Sequence, residues 1–113
     1  MKSKIAALFK NEDFKNLLKG KRISNKYITI YFSNLLNKEN KKINISFVAK
    51  KKLGNAVKRN KIKRRLKNIT NEAVKKISIN FNYSYLVIAK ITMLNIEYTI
   101  IKDILFQDFK RIK

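Results

Sequence analysis

The chain has 113 residues, 28 of them Lys or Arg against 7 Asp or Glu, which puts a formal charge of +21 on a body 45% apolar and 11% aromatic. That length has room for one domain over residues 1–113, and the apolar share can bury a core, which excludes a disordered basic tail. Cys and His are absent, so disulfides, a thiol nucleophile, the usual general base and the commonest zinc ligand are excluded, while a charge far above what solubility needs calls for a polyanionic partner.

In chain order, the first element is a short helix over roughly residues 11–19. Asn11 is its expected N-cap, Glu12 and Asp13 sit in the first turn where the dipole favours anions, and the stripe of Phe14, Leu17 and Leu18 ends at Gly20. Tyr27 to Phe32 are β-branched or aromatic and predict a strand, the unbroken run suggesting burial on both faces. The polar segment Asn37 to Lys42 turns the chain. Ile43, Ile45 and Phe47 then alternate with Asn44, Ser46 and Val48, a second strand expected to pair with the first as an antiparallel hairpin. Ile62, Leu66, Ile69, Ala73 and Ile77 recur at helical spacing and predict a long amphipathic helix over 56–76. Ile79 and Phe81, or Tyr85 to Ala89, supply a further strand. A last helix, capped by Asn95, carries Ile100, Ile101, Ile104, Leu105 and Phe109 inward. The order α-β-β-α-β-α predicts a two-layer α/β sandwich of the α+β kind, with helices packed on a small mixed sheet. The longest apolar stretches, such as Ile5 to Phe9 and Leu86 to Ala89, are too short to cross a bilayer, and no signal-peptide hydrophobic region is evident. A cytoplasmic protein with no membrane partner is expected.

The charge has a focus. No acid occurs between Glu39 and Glu72, and Lys50 to Lys67 holds ten basic residues in eighteen: Lys50, Lys51, Lys52, Lys58, Arg59, Lys61, Lys63, Arg64, Arg65 and Lys67. With Ile62 set at zero on a helical wheel, Leu66, Ile69 and Ala73 fall within about 40° of it, Asn60, Arg64 and Lys67 lie near the opposite pole, and Lys61 and Lys63 take the two flanks. Basic runs are often only solvated faces. Here like charges at i, i+3 and i+4, such as Lys61 with Arg64 and Arg65, destabilise the helix without interleaved acids to offset them, which favours a sugar-phosphate partner. Upstream, Gly54 tolerates positive φ and Asn55 can cap the helix, so the loop can turn backbone amides toward a phosphate, although such a pair is also an ordinary turn before a helix. Glu12 with Asp13, and Asp103 with Asp108, lack the i, i+3 or i+4 spacing of a two-ligand face, so no metal held by the protein and no catalytic constellation are expected.

Read as one string, residues 50–67 are KKKLGNAVKRNKIKRRLK. The string resembles the signature of the protein subunit of bacterial ribonuclease P, approximately K-K-x-G-N-A-V-x-R-N-R-I-K-R, which Lys51, Lys52, Gly54, Asn55, Ala56, Val57, Arg59, Asn60, Ile62, Lys63 and Arg64 match. The central Arg-Asn-Arg stands here as Arg59-Asn60-Lys61, and Lys67 takes a further position that is often Arg; both keep charge and lose the bidentate fork. Lys10-Asn11-Glu12-Asp13-Phe14 looks like the family's opening segment, Tyr27 to Phe32 like its first strand and Tyr85 to Lys90 like its late strand, which often ends Ile-Ala-Arg.

The resemblance implies a ribosomal-protein-like fold with a left-handed βαβ crossover, an exception to the usual hand. It also implies a 1:1 pairing with a catalytic RNA that removes the 5′ leader of precursor tRNA by metal-dependent hydrolysis, with Mg²⁺ carried by that RNA and no cofactor on the protein. Lys50, Lys51, Lys52, Asn55, Lys58, Arg59, Asn60, Lys61, Lys63, Arg64, Arg65 and Lys67 would then face the RNA. The leader would cross a cleft on the sheet at Phe14, Tyr31, Lys90 and Leu18, the last standing where relatives often carry a second aromatic. For Phe14 and Tyr31, base stacking competes with ordinary core packing. A non-enzymatic ribosomal or RNA-chaperone protein would explain the charge and the sandwich but not the Gly-Asn-Ala-Val string, and an architectural DNA binder would need a dimerisation helix pair or Pro-tipped arm that the sequence lacks.

Overall fold

The fold is that of a computed structural model, which describes residues 5–7, 11–35 and 42–112. Among these, five strands and three α-helices follow in the order β1 (Ile5–Ala6), α1 (Asn11–Leu18), β2 (Lys21–Ser24), β3 (Ile28–Ser33), β4 (Ile43–Ala49), α2 (Ala56–Lys76), β5 (Ser84–Ala89) and α3 (Tyr98–Arg111). Short 3₁₀ segments, Lys51–Leu53 and Ile91–Asn95, precede α2 and α3. One mixed sheet runs β1-β4-β5-β3-β2. None of the described helices is long and apolar enough to cross a membrane.

The expected hairpin between the strands at 27–32 and 43–48 does not form. β5 lies between them, antiparallel to β3 with Ile30 opposite Val87, and parallel to β4 with Phe47 opposite Val87. The reason is the long return through α2: a helical crossover brings the chain back in the direction of β4, so β5 adds parallel to it. β5 is also the strand with four consecutive buried residues, Ser84 to Val87, and a strand buried on both faces belongs at the centre of a sheet. The strand expected to be buried on both faces, β3, alternates instead: Ile28 and Ile30 are buried while Thr29 and Tyr31 are half-buried. The hairpin that does form joins β2 to β3 through Asn25, whose Oδ1 accepts from the Tyr27 and Ile28 amides at 2.8 and 3.0 Å.

Each strand divides its side chains between two faces. One carries Ile28, Ile30, Ile43, Ile45, Tyr85, Val87 and Ala89 against Ile62, Leu66, Ile69 and Ala73 of α2 and Ile101, Leu105 and Phe109 of α3, all buried in one cluster. Fully burying each Leu or Ile contributes about 1.5–3 kcal/mol, so this face holds most of the folding energy. Tyr85 anchors it, meeting Phe109 edge to face at 5.8 Å and donating its hydroxyl to the Asn80 carbonyl at 2.6 Å. Burial pushes the Tyr85 phenol well above its ordinary pKa. The opposite face carries a smaller cluster, Leu17, Leu35 and Leu86, with Phe14, Tyr31, Val48 and Ile88 half-buried against it.

The long helix occupies the predicted 56–76. Its buried Thr70 is satisfied by donating to the Leu66 carbonyl at 2.9 Å. Asn11 is the first residue of α1 and not the residue before it, and Lys10 lies outside the described residues, as do Phe9 and most of the segment expected to turn at 37–42. Asn95 does not cap the last helix. It closes the 3₁₀ segment, two extended residues follow, and α3 starts after Glu97. Ile79 and Phe81 belong to the connection before β5 and pack half-buried against the main core.

Candidate nucleic-acid interface

The basic segment begins where β4 ends. Leu53 is buried and pins the 3₁₀ turn Lys51–Leu53, leaving Lys50, Lys51 and Lys52 exposed. Gly54 has φ +129°, a backbone that L side chains rarely adopt, and a Cβ there would lie 2.9 Å from Lys58 Cδ. Asn55 follows as the N-cap of α2, its Oδ1 accepting from the Lys58 amide at 3.0 Å. The Gly-Asn pair thus takes the turn-and-cap role expected of it, reversing the chain tightly enough to start α2 beside the sheet.

Along α2 the cations are sorted by the core stripe. Ile62, Leu66 and Ile69 face inward, so the residues between them emerge on two flanks. On one flank Lys63, Arg64 and Lys67 line a cavity of about 510 Å³ whose other walls include Ile5, Phe14 of α1, and Ser46 and Val48 of β4. On the other, Lys58, Lys61 and Arg65 line a hollow of about 370 Å³ closed by Leu94 and Asn95 of the 3₁₀ segment. Arg59 is half-buried, its Nε without a hydrogen-bond partner, while Asn60 is exposed. Among the described residues none of the ten cations pairs with a carboxylate. The ion pairs seen join Lys102 to Glu72 at 2.8 Å and Arg111 to Asp108 at 4.0 Å. Lys102 holds the Glu72 carboxyl below its ordinary pKa, so the acid that ends the acid-free stretch serves the α2–α3 contact. Val57, in the first turn, is an apolar side chain 77% exposed.

The sheet face opposite the core brings together Phe14, Tyr31, Val48 and Ile88 around Leu17 and Leu86. Phe14 and Tyr31 are each half-buried, with one part in the cluster and another open to solvent. Leu18 is half exposed and stands outside that cluster. Lys90 comes two residues after Ile88, beyond the end of β5, and its ammonium donates to Ser24 Oγ at 2.9 Å and to the Asn25 carbonyl at 2.5 Å. It is therefore tied to the β2–β3 turn with a single donor left over. Among the described residues no group of three or more acidic side chains could hold a metal ion.

The basic helix and the aromatic cleft, expected as separate surfaces, are joined in the structure, since Lys63, Arg64 and Lys67 share a cavity with Phe14. The signal was available in the helical wheel, where Lys63 and Lys67 fall on one side of the core stripe and Lys58 and Arg65 on the other. What the wheel lacks is the identity of the neighbours. Asn95 was missed as a lining residue for the same reason, because it follows β5 in the chain and meets α2 only in the fold.

Comparison with known proteins bears on the family and the fold. The sequence profile of the family described as Ribonuclease P matches residues 2–113. The Ribonuclease P protein component of Carboxydothermus hydrogenoformans is 33% identical over 115 residues, covering 98% of this chain and 94% of that protein. The structure of the Staphylococcus aureus RNase P protein superposes with a TM-score of 0.76 at 27% identity, covering 94% of this chain and 93% of the other. The RNase P protein from Thermotoga maritima shares the fold at a TM-score of 0.81 and 24% identity, over 96% of this chain and 98% of that one.

Proposed function

From the premise that this chain belongs to the ribonuclease P protein family, we propose that it binds its catalytic RNA through the Lys50–Lys67 segment and receives the 5′ leader of precursor tRNA in the cleft beside Phe14. Ribonuclease P is an endoribonuclease ribonucleoprotein, and members of the family are its protein subunit. The division of labour fits the chemistry of the chain, which offers phosphate-binding cations and half-open aromatics, with its carboxylates dispersed or already engaged. Bond cleavage and the Mg²⁺ it uses then belong to the RNA, paired 1:1 with the protein in the cytoplasm.

The observation that carries this reading is the cavity that joins Lys63, Arg64 and Lys67 to Phe14. Three cations along a wall beside an aromatic ring suit a single strand, which offers phosphates on one side and base faces on the other. Tyr31 is the second stacking surface in the same cluster.

The test adds purified protein to a bacterial ribonuclease P RNA with precursor tRNA at low Mg²⁺. Stimulated cleavage at the mature 5′ end is expected, and no stimulation refutes the reading. In the assembled enzyme, Phe14→Ala or Tyr31→Ala should lower affinity for precursor tRNA about tenfold, at about 1–3 kcal/mol per stacked base, and leave mature tRNA affinity nearly unchanged. Equal losses for both RNAs would assign these rings to packing alone.

A further inference from the structure

Lys58, Lys61 and Arg65 stand at i, i+3 and i+7 of α2, so they leave the helix in a row on one flank. That row faces away from the aromatic cavity. With Ile62 it forms one wall of the 370 Å³ hollow, and the facing wall is Leu94 and Asn95. Asn95 is exposed, takes no part in capping α3, and also lines the adjoining hollow with Lys26, Tyr27 and the carboxylate-bearing Glu97. It therefore stands where two hollows meet, opposite three cations and outside the basic string itself.

The row spans seven residues, about 10 Å of helix axis, long enough to follow a short stretch of one sugar-phosphate backbone. Among the described residues no carboxylate lines this groove. Lys58 with Lys61, and Lys61 with Arg65, repel one another at helical-neighbour spacing, and the concave wall concentrates their field where a backbone of alternating phosphate and ribose would lie. A side-chain amide on the facing wall donates to phosphate or 2′-hydroxyl oxygens and accepts from a hydroxyl, so it suits RNA in particular.

We propose that the groove between α2 and the 3₁₀ segment Ile91–Asn95 holds the sugar-phosphate backbone of the catalytic RNA, with Asn95 as an RNA-binding residue facing Lys58, Lys61 and Arg65. α2 is then held between two nucleic acids, the catalytic RNA on this flank and the leader on the other. The proposal rests on the subunit reading above and adds the path of the strand and the residue that completes it.

The experiment titrates ribonuclease P RNA alone, without tRNA, with wild-type protein and with Asn95→Ala, Asn95→Asp and Gln107→Glu. Gln107 is exposed on α3 and lines neither groove, so Gln107→Glu controls for net charge. Asn95→Asp should weaken binding about tenfold, Asn95→Ala about threefold and Gln107→Glu less than about twofold, within the range of single phosphate contacts. Lys61→Ala should reduce the salt slope by about one log-log unit. Unchanged melting temperatures for the Asn95 variants establish that the loss lies in binding. Equal losses for Asn95→Asp and Gln107→Glu, with wild-type binding intact, overturn the groove alone. Unchanged ribonuclease P RNA binding by Asn95→Asp, with poorer discrimination between precursor and mature tRNA when the assembled enzyme is assayed alongside, overturns it too, by placing the leader there. Wild-type protein that fails to bind the RNA at all removes the subunit reading itself.

Discussion

Asn25 holds the β2–β3 turn with every polar atom of its side chain. Its Oδ1 accepts from two backbone amides, and its Nδ2 donates to Asp108 Oδ2 of α3 at 2.6 Å. Asp108 is only 4% exposed, and that burial pushes its carboxyl above the ordinary pKa, against the weaker pull of Arg111 and of the Asn25 amide. A carboxyl whose folded pKa is raised binds more protons in the native state than in the unfolded one. Its contribution is therefore full below the ordinary value near 3.8 and is lost as pH rises through the folded pKa. Asp108→Asn keeps an acceptor for Asn25 and removes the buried charge, so it should stay within about 1 kcal/mol of wild type at pH 7 and flatten the fall in stability between acid and neutral pH. Asn25→Asp sets a second carboxylate against the first and should cost about 2–3 kcal/mol at neutral pH, with partial recovery on acidification. Urea titrations at pH 4 and pH 7 read both, and a pH-independent loss in Asn25→Asp would exclude carboxylate repulsion as its cause.

At the scale of elements, α1 reaches its site because Gly20 lets the chain pass close to β3. A Cβ on Gly20 would meet the Phe32 carbonyl at 2.9 Å, Ser33 Cβ at 3.1 Å and the Leu17 carbonyl at 3.3 Å. The nearest of these is strand backbone, which cannot give way as a side chain can. Gly20→Ala should therefore destabilise the fold by about 1–3 kcal/mol, a fall of about 4 °C or more per kcal/mol in a thermal melt at this size. It should also move Phe14 and so weaken precursor tRNA binding more than catalytic RNA binding. An unchanged melting temperature would mean that α1 shifts freely and does not fix Phe14. The elements themselves differ in how far the sequence discloses them. α2 was legible to its ends, since Asn55 supplies a cap, and Ile62, Leu66, Ile69 and Ala73 repeat at helical spacing along its core side. β5 and α1 were legible within a residue or two. The pairing of strands was not, because alternation in β4 records which face is buried and carries no information about which edge is taken. β1 has two residues, and Lys21–Ser24 holds one apolar residue among four, too few for any period to register. Of the candidate site, the basic string was plain in one dimension. Its division between two grooves depends on Phe14 and Asn95, one before β2 and the other after β5, which meet α2 only through the sheet and the 3₁₀ segment.

At the scale of the whole molecule, +21 sits on a body whose extents are 35 × 30 × 28 Å. At physiological ionic strength the screening length is about 8 Å, so cations on the two flanks of α2 and on the loop before it repel one another across distances that salt only partly covers. The compact state carries that repulsion and the unfolded chain relieves it, so anions should stabilise the fold in two separable ways. Screening depends on ionic strength alone. Occupation of the grooves depends on the anion, because a divalent oxyanion can accept from several lysines at once, and it adds stability as RT ln(1 + [L]/Kd). For a groove with Kd of about 1 mM, about 10 mM sulfate contributes about 1.4 kcal/mol, which at this size raises the melting temperature by about 5 °C. Chloride at matched ionic strength should give only the screening part. General strengthening of apolar burial by sulfate is an effect of much higher concentrations, so the millimolar range isolates the sites. Lys63→Ala with Lys67→Ala should remove part of the sulfate increment and raise the melting temperature in low salt, since it deletes two repelling charges that make no ion pair among the described residues. Equal shifts with sulfate and chloride would leave screening as the whole effect and would mean that neither groove concentrates anions in the free protein.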